Sequence, residues 1–227
     1  MSAPFKSTII LIPAYNAEST LGSLIKRIHT VNDQLRILVI DDGSSDTTLE
    51  IARNSGVSVL QHQENRGKGA ALQTGFNHIL PMNDVEYVVT MDSDLQHVPE
   101  EIPKLLSAQE TTQADIVVGQ RQRMGTHMPF ARILSNTITS AMVGMRTGRK
   151  MLDSQCGFRL IRKSVLEEIV LLHSGYEAET EFLIKAARKG FNLAFAPIQT
   201  VYGNERSYIA HWATTKNFVK VLFQDYA

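Results

Sequence analysis

Short apolar runs rich in β-branched residues alternate with segments of helical periodicity along the first half of the chain. "STIILIP" (7–13) predicts a first strand, and "STLGSLIKRIHT" (19–30) follows with Leu21, Leu24, Ile25 and Ile28 on one face, the spacing of a helix that buries one side. "RILVI" (36–40) predicts a second strand, after which Asp46 is placed to cap a short helix ending near Gly56. "VSVLQ" (57–61), "EYVVTM" (86–91) and "DIVVG" (115–119) complete a set of five strands. Helices are predicted between them over 67–80, where the first turn is glycine-rich, and over 98–106, where Pro99 takes the first position and Glu100 and Glu101 sit at the positive end of the dipole. Such alternation is the pattern of a mostly parallel sheet covered by helices on both faces. Beyond it the regularity lapses. Residues 120–155 are basic, methionine-rich and weakly periodic. Then come an expected strand (157–163), helices over 164–172 and 177–190, a late strand (191–197) and an amphipathic helix over 210–223, with Trp212, Val219, Leu222 and Phe223 roughly on one side. No repeat or linker divides the chain, so one domain over 1–227 is expected, its half to about 122 regular and its half from about 123 elaborated.

Each of the five strands runs into a polar cluster: "PAYN" (13–16), "DDGSSD" (41–46), "ENRGKG" (64–69), "DSDLQH" (92–97) and "GQRQR" (119–123). In an open α/β sheet the carboxyl ends of the strands are where ligands collect. Any one cluster is compatible with an ordinary polar turn, but packing alone does not demand Asp, Arg, Lys and Tyr together on one edge. If the chain stays extended past Met91, then Asp92, Asp94 and Gln96 project from one face. Carboxylates that close repel unless a proton or cation lies between them. Mg²⁺ or Mn²⁺ held by one or two carboxylates plus substrate phosphates satisfies that requirement. The plainer alternative is that both acids cap the following helix.

Charge changes this picture locally rather than globally. Lys and Arg number 23, as do Asp and Glu, so no overall field calls for a polyanion, and no nucleic-acid partner is expected. From Ile116 to Leu152, however, there is no acid, while Arg121, Arg123, Arg132, Arg146, Arg149 and Lys150 are all basic. That stretch suits either an anionic lipid head or membrane surface, or a solvated face paired with distant acids. A single cysteine, Cys156, excludes an internal disulfide and fits a reducing compartment. With no signal-peptide pattern and no membrane-length apolar run, a cytoplasmic protein is expected, at most peripheral at a membrane surface.

The segments "IPAYNAESTL", "VIDDGSSDTT", "NRGKGAALQTGF", "TMDSDLQHVPEEIPKL", "DIVVGQR", "DSQCGFRLIRKSVL" and "YEAETEFLIKAARKGF" together resemble the inverting family 2 glycosyltransferases of GT-A fold. Within that family they look closest to the dolichyl-phosphate and polyprenyl-phosphate sugar transferases. The resemblance implies a nucleotide-diphosphate sugar donor, a divalent metal, an isoprenoid-phosphate acceptor and inversion at the anomeric carbon. It implies that Pro13, Tyr15 and Asn16 pack against base and ribose, that Asp42, with Asp41 beside it, contacts the nucleoside, and that Lys68 lies near the nucleotide. Asp92 then falls nearer the ribose, with Ser93 between it and Asp94 on the metal, and Gln96 adds a metal contact. Arg121 and Arg206 match contacts to diphosphate or acceptor phosphate. Glu18 departs from the pattern, since "YNAES" stands where many relatives have "YNE".

A phosphate acceptor is already anionic and needs positive charge rather than a base. A hydroxyl acceptor on a glycan or small molecule needs a general base. For that alternative Glu179, Glu181 and Asp153 are the candidates, and two residues apart on a helix the two glutamates do not share a face. His97 either ligates metal or opens a helix, and Cys156 reads as a small packing residue. A sugar-nucleotide nucleotidyltransferase is disfavoured because "PAYNAEST" lacks a glycine-rich basic loop at the first strand. Intact Asp92, Asp94 and Arg121 argue against a non-catalytic binding module.

Overall fold

The computed structural model describes residues 3–122, 130–201 and 211–226. Strand β1 (Thr8–Ala14) is buried along its whole length, with Ile10, Leu11 and Ile12 fully covered. Each such side chain contributes about 1.5–3 kcal/mol on leaving water. β2 (Arg36–Asp41), β3 (Ser58–Gln61) and β4 (Tyr87–Thr90) lie parallel to it, and β5 (Ile116–Arg121) and β7 (Leu193–Ile198) run parallel to each other. β6 (Arg159–Arg162) enters between β4 and β5, antiparallel to both. The sheet therefore has seven strands in the order β3-β2-β1-β4-β6-β5-β7.

That one reversed strand matters for the site. Its first residue, Arg159, pairs with Thr90 at the carboxyl end of β4 and with Val118 in the middle of β5. The loop preceding β6 is thereby delivered to the edge where the parallel strands finish.

A short helix, α1 (Ala3–Lys6), precedes β1 and was not foreseen from the pattern. α2 (Leu21–Val31) buries the expected Leu21, Leu24, Ile25 and Ile28. α3 (Thr48–Asn54) begins beside Asp46, whose carboxylate accepts hydrogen bonds from the Thr48 amide and hydroxyl at 3.0 and 2.5 Å. α4 (Lys68–Ile79) packs on β1 and β2. The helix expected over 98–106 opens instead as a tight turn at Pro99–Glu101 and continues as α5 (Ile102–Thr112), which packs on β5, β6 and β7.

Two expectations in the second half need larger correction. The weakly periodic stretch contains the 18-residue helix α6 (Phe130–Thr147). Its covered positions include Asn136 and Ser140 as well as Val143, while Leu134, Ile138 and Met145 are exposed. An inward face built partly from polar residues and an outward face built from apolar ones hides the usual helical signature. The helix expected over 164–172 stops early, as α7 (Lys163–Glu168). Its continuation is pulled away because the Leu171 amide donates to Gln73 and the Leu172 and His173 amides donate to Glu181.

α8 (Ala178–Arg188) packs against α4, α6 and α9 (His211–Phe223). A second, smaller core joins Val143, Met151, Ile184, Phe218, Val221, Leu222 and Tyr226. α9 thus folds onto its own domain with Phe218, Val221 and Leu222 inward. Val219 and Phe223, expected beside Leu222, face solvent, and the Trp212 side chain lies outside the described residues. Among the described residues, no helix is long and apolar enough to cross a membrane.

A candidate active site at the carboxyl edge of the sheet

The centre of the edge is an ionic cluster. Lys68, the first residue of α4, forms ion pairs with Asp92 and, at 2.7 Å, with Glu179. All three are largely removed from solvent. Burial alone would lower the Lys68 pKa, but the two carboxylates outweigh it and raise it, while Asp92 is held down to about 2 because Lys68 more than offsets the cost of its burial. Gly157 makes room for the cluster. A Cβ there would lie 2.5 Å from Glu179 Oε1, 3.0 Å from Lys68 Nζ and 3.2 Å from Asp92 Oδ1.

Each member is aimed by something specific. Asp42 accepts from His62 Nδ1 at 2.6 Å and from the Arg66 and Gly67 amides at 3.0 and 2.8 Å, which fixes the loop leading into Lys68. Gly67 and Gly69 give way to the carbonyls of Ser174 and His173, so the glycine-rich turn admits the 173–175 loop against the start of α4. The Ser174 carbonyl accepts from the amides of Gly69 (2.6 Å) and Ala70 (3.2 Å), two donors at a helix N-terminus that would otherwise need partners. Buried Arg159 donates to the carbonyls of Cys156, Glu179 and Ser154 at 2.8, 2.9 and 3.1 Å, tying the loop before β6 to the start of α8. Thr90 Oγ1 donates to the Gly157 carbonyl at 2.7 Å. His62 and Arg159 were given no role from the sequence; nothing in a linear pattern marks a polar side chain that will be buried by its partners.

Residues 92–97 do not continue β4. The chain turns, the Gln96 amide donates to Asp94 Oδ1 at 3.0 Å, and Leu95 adopts a left-handed φ of 62°. A leucine there costs on the order of 1–3 kcal/mol, a strain typical of ligand-binding turns. The expectation that Asp92, Asp94 and Gln96 share the face of an extended strand is thus corrected: a turn, not a pleat, sets their relation. Asp94 still belongs to the neighbourhood. The Tyr176 hydroxyl is pushed up by burial, and Asp92, Glu179 and Asp94 all add to that push against the opposing pull of Lys68. Ser93 is half-buried in the same turn, and Gln96 accepts from the Val201 amide through its carbonyl.

The nucleoside-side candidates divide. Pro13 is buried in β1, Tyr15 is exposed, and Asn16, at φ 49°, accepts the Ser45 amide on Oδ1 at 2.9 Å. Glu18 holds Thr47 through its amide and hydroxyl. Asp42 is engaged inside the protein as described, whereas Asp41 is fully buried with neither carboxylate oxygen hydrogen-bonded. Of the two, the neighbour ranked second from sequence is the one with unused acceptors.

The three candidate bases also separate. Glu181, fully buried, accepts from the Leu172 and His173 amides, from His173 Nδ1 and from Lys185. Burial would raise its pKa, but Lys185 and these donors outweigh it and lower it. Its carboxylate braces the 169–173 loop. Asp153 is fully buried and clasps Arg121, with Nε to Oδ2 at 2.8 Å and Nη2 to Oδ1 at 2.7 Å. Glu179 alone of the three belongs to the Lys68–Asp92 cluster. His97 is buried and stacked on Phe158 at 5.4 Å; burial lowers its pKa against the opposing pull of Asp92. Cys156 is fully buried and its thiol is pushed up to about 12 by that burial, the behaviour of a packing residue.

Among the described residues of the basic stretch, three arginines are engaged by other parts of the chain and Lys150 is exposed. Arg121 is clasped by Asp153, Arg146 donates to the Leu222 and Gln224 carbonyls, and Arg149 donates to the Phe191 carbonyl at 2.6 Å. Arg123, Arg206 and the Arg132 side chain lie outside the described residues.

A divalent cation fits the donor set. Two aspartates come from one turn, glycine keeps space beside one of them, and an ammonium already stands there as a cation. Among the described residues, no group of three or more His, Cys, Asp or Glu side chains could hold a metal by itself. The arrangement therefore suits an ion that takes its remaining ligands from substrate phosphate and water.

Comparison with known proteins shows the family and the fold. The family model described as Glycosyl transferase family 2 matches residues 9–170. The chain belongs to that family. This glycosyltransferase is 31% identical to the polyprenol monophosphomannose synthase of Mycolicibacterium smegmatis, over 86% of this chain and 77% of that one. It is 29% identical to the UDP-N-acetylglucosamine–dolichyl-phosphate N-acetylglucosaminyltransferase of Methanococcus voltae, over 87% and 86%. Among solved structures, glucosyl-3-phosphoglycerate synthase from Mycobacterium tuberculosis, in complex with Mn²⁺, UDP and phosphoglyceric acid, superposes with a TM-score of 0.78 at 22% identity, over 95% of this chain and 77% of that one. The glycosyltransferase accordingly has the GT-A fold.

Proposed function

We propose that this glycosyltransferase moves a sugar, with inversion, from a UDP- or GDP-sugar to a polyprenyl or dolichyl phosphate, with the assistance of Mg²⁺ or Mn²⁺. The observation that carries the reading is the convergence of Lys68, Asp92 and Glu179 around Gly157, one turn from Asp94. Two relatives whose names specify polyprenol and dolichyl-phosphate chemistry supply the acceptor class.

In this mechanism Tyr15 and Pro13 flank the base. Asp41 accepts an N–H from it, which relieves the cost of several kcal/mol that a buried carboxylate without a donor carries. Asn16 shapes the same loop beside the ribose. Asp92, Asp94 and Gln96 would hold the metal, which would supply positive charge against the negative charge growing on the departing diphosphate. Arg121, oriented by Asp153, and Arg206 hold phosphate, and stabilise it most where charge is greatest, in the transition state. An acceptor phosphate arrives anionic on the opposite face of the sugar. No side chain has to deprotonate it, and Glu179 is left to its ion pair with Lys68. A peripheral encounter with the membrane surface follows from such an acceptor.

The test is a panel of UDP- and GDP-sugars offered with Mn²⁺ or Mg²⁺ to polyprenyl phosphate and, in parallel, to soluble hydroxyl acceptors such as phosphoglycerate. Transfer to the lipid phosphate is expected, falling at least about 100-fold in Asp94→Ala at unchanged circular dichroism. Transfer that persists in EDTA and in that variant would overturn the metal assignment, and transfer to hydroxyls alone would overturn the acceptor.

A further inference from the structure

Lys68 does more here than lie near a nucleotide. Its ammonium is buried between two carboxylates that come from different elements, Asp92 after β4 and Glu179 at the start of α8. The side-chain positions are fixed from outside the cluster: α4 starts at Lys68, Arg159 grips the Glu179 carbonyl, and Gly157 leaves the central space clear. Lys68 also lies 5.8 Å from the centroid of the Tyr176 ring, a further cation-attracting face on the Glu179 side. One cation is thus offered two carboxylates, only one of which belongs to the acidic turn at 92–94.

We propose that Lys68 is a built-in placeholder for the divalent ion: its ammonium occupies the Asp92 carboxylate when no metal is bound, and passes to Glu179 when metal arrives. The inference rests on the assignment of Asp92 to the metal. It gives Glu179 a task independent of any base catalysis, that of receiving the displaced ammonium, so that neither a lysine nor a glutamate is left as a lone buried charge at either stage. It also couples the two ligands of the enzyme. Metal alone must displace Lys68 and binds weakly, whereas a nucleotide diphosphate adds ligands to the metal and negative charge for the lysine, so donor and metal bind cooperatively.

The placeholder has a signature that metal binding itself reads, apart from turnover. Mn²⁺ binding to the nucleotide-free chain is measured by calorimetry and by the electron paramagnetic resonance of free Mn²⁺. Lys68→Met is expected to bind Mn²⁺ about tenfold more tightly than the unaltered chain, since no ammonium competes for Asp92. Glu179→Gln is expected to bind it several-fold more weakly, as Lys68 loses its second acceptor and stays on Asp92. In the double variant the effect of Glu179→Gln should vanish, because the residue it serves is gone. Unchanged or weaker Mn²⁺ binding by a folded Lys68→Met protein would overturn the placeholder while leaving the metal site standing. If Lys68→Met does not fold, Glu179→Gln decides alone, and affinity equal to or above that of the unaltered chain overturns the proposal. Absence of Mn²⁺ binding in every protein, with UDP present as well as absent, would overturn the metal assignment and the placeholder together.

Discussion

At the residue scale, the site is governed by small clearances and by which oxygen still has an acceptor to offer. Asp41 and Asp42 are adjacent in sequence, yet one is committed to His62 and two amides while the other has no hydrogen bond. Gly157 illustrates clearance. Its φ is unremarkable, and what it supplies is the absence of a Cβ among Lys68, Asp92 and Glu179. Gly157→Ala should therefore cost only about 1–3 kcal/mol in urea unfolding, because the crowded atoms are side-chain ends that can shift, while transfer falls about 100-fold as they do so. Steady-state rates read beside the unfolding curve check this, and a rate within twofold of the unaltered enzyme would show that the clearance is not used.

At the element scale, α6 and α9 are inverted relative to simple expectation: each shows solvent some of its larger apolar side chains. Leu134, Ile138 and Met145 on α6 and Phe223 on α9 are exposed, and Phe223 is 72% so. The opposite side of α9 holds the small core through Phe218, Val221 and Leu222. Phe218→Ala is accordingly expected to destabilise the protein by about 3–5 kcal/mol, and Phe223→Ala to change stability by no more than about 0.5 kcal/mol. Denaturant midpoints for the two variants distinguish this packing from the face suggested by the Trp212, Val219, Leu222 and Phe223 pattern, which would make Phe223 the costly loss.

At the scale of the whole molecule, buried ionisable groups set the dependence of stability on pH. Asp92 titrates at about 2 in the folded chain against an ordinary 3.8, and Glu181 is lowered from 4.5. Both release protons more readily when folded, so their contribution is complete above about 4.5 and is lost as pH falls towards 2. His97 is lowered from 6.5 by burial, so the unfolded chain takes up its proton first and stability begins to fall below 6.5. Urea midpoints measured from pH 8 downwards should hold level to about 6.5, decline gently, and then drop steeply below about 4.5. A midpoint that rises on acidification through that range would contradict the buried ion pairs.

The sequence by itself determined the order of strands and helices through β5, the edge on which the polar clusters gather, and the family. Those follow from local periodicity and from turn-forming clusters placed at strand ends, both of which are written in neighbouring residues. Only the tertiary structure decided that β6 runs backwards and carries Gly157 and Arg159 to that edge, that Glu179 joins Lys68 and Asp92 while Glu181 braces a loop, and that Asp41 rather than Asp42 keeps open acceptors. The physical reason is that a carboxylate or guanidinium takes its role from the partner it meets, and the partners that set the cluster lie far off in sequence, 20 positions for Asp42 with His62 and 111 for Lys68 with Glu179, where no local pattern connects them.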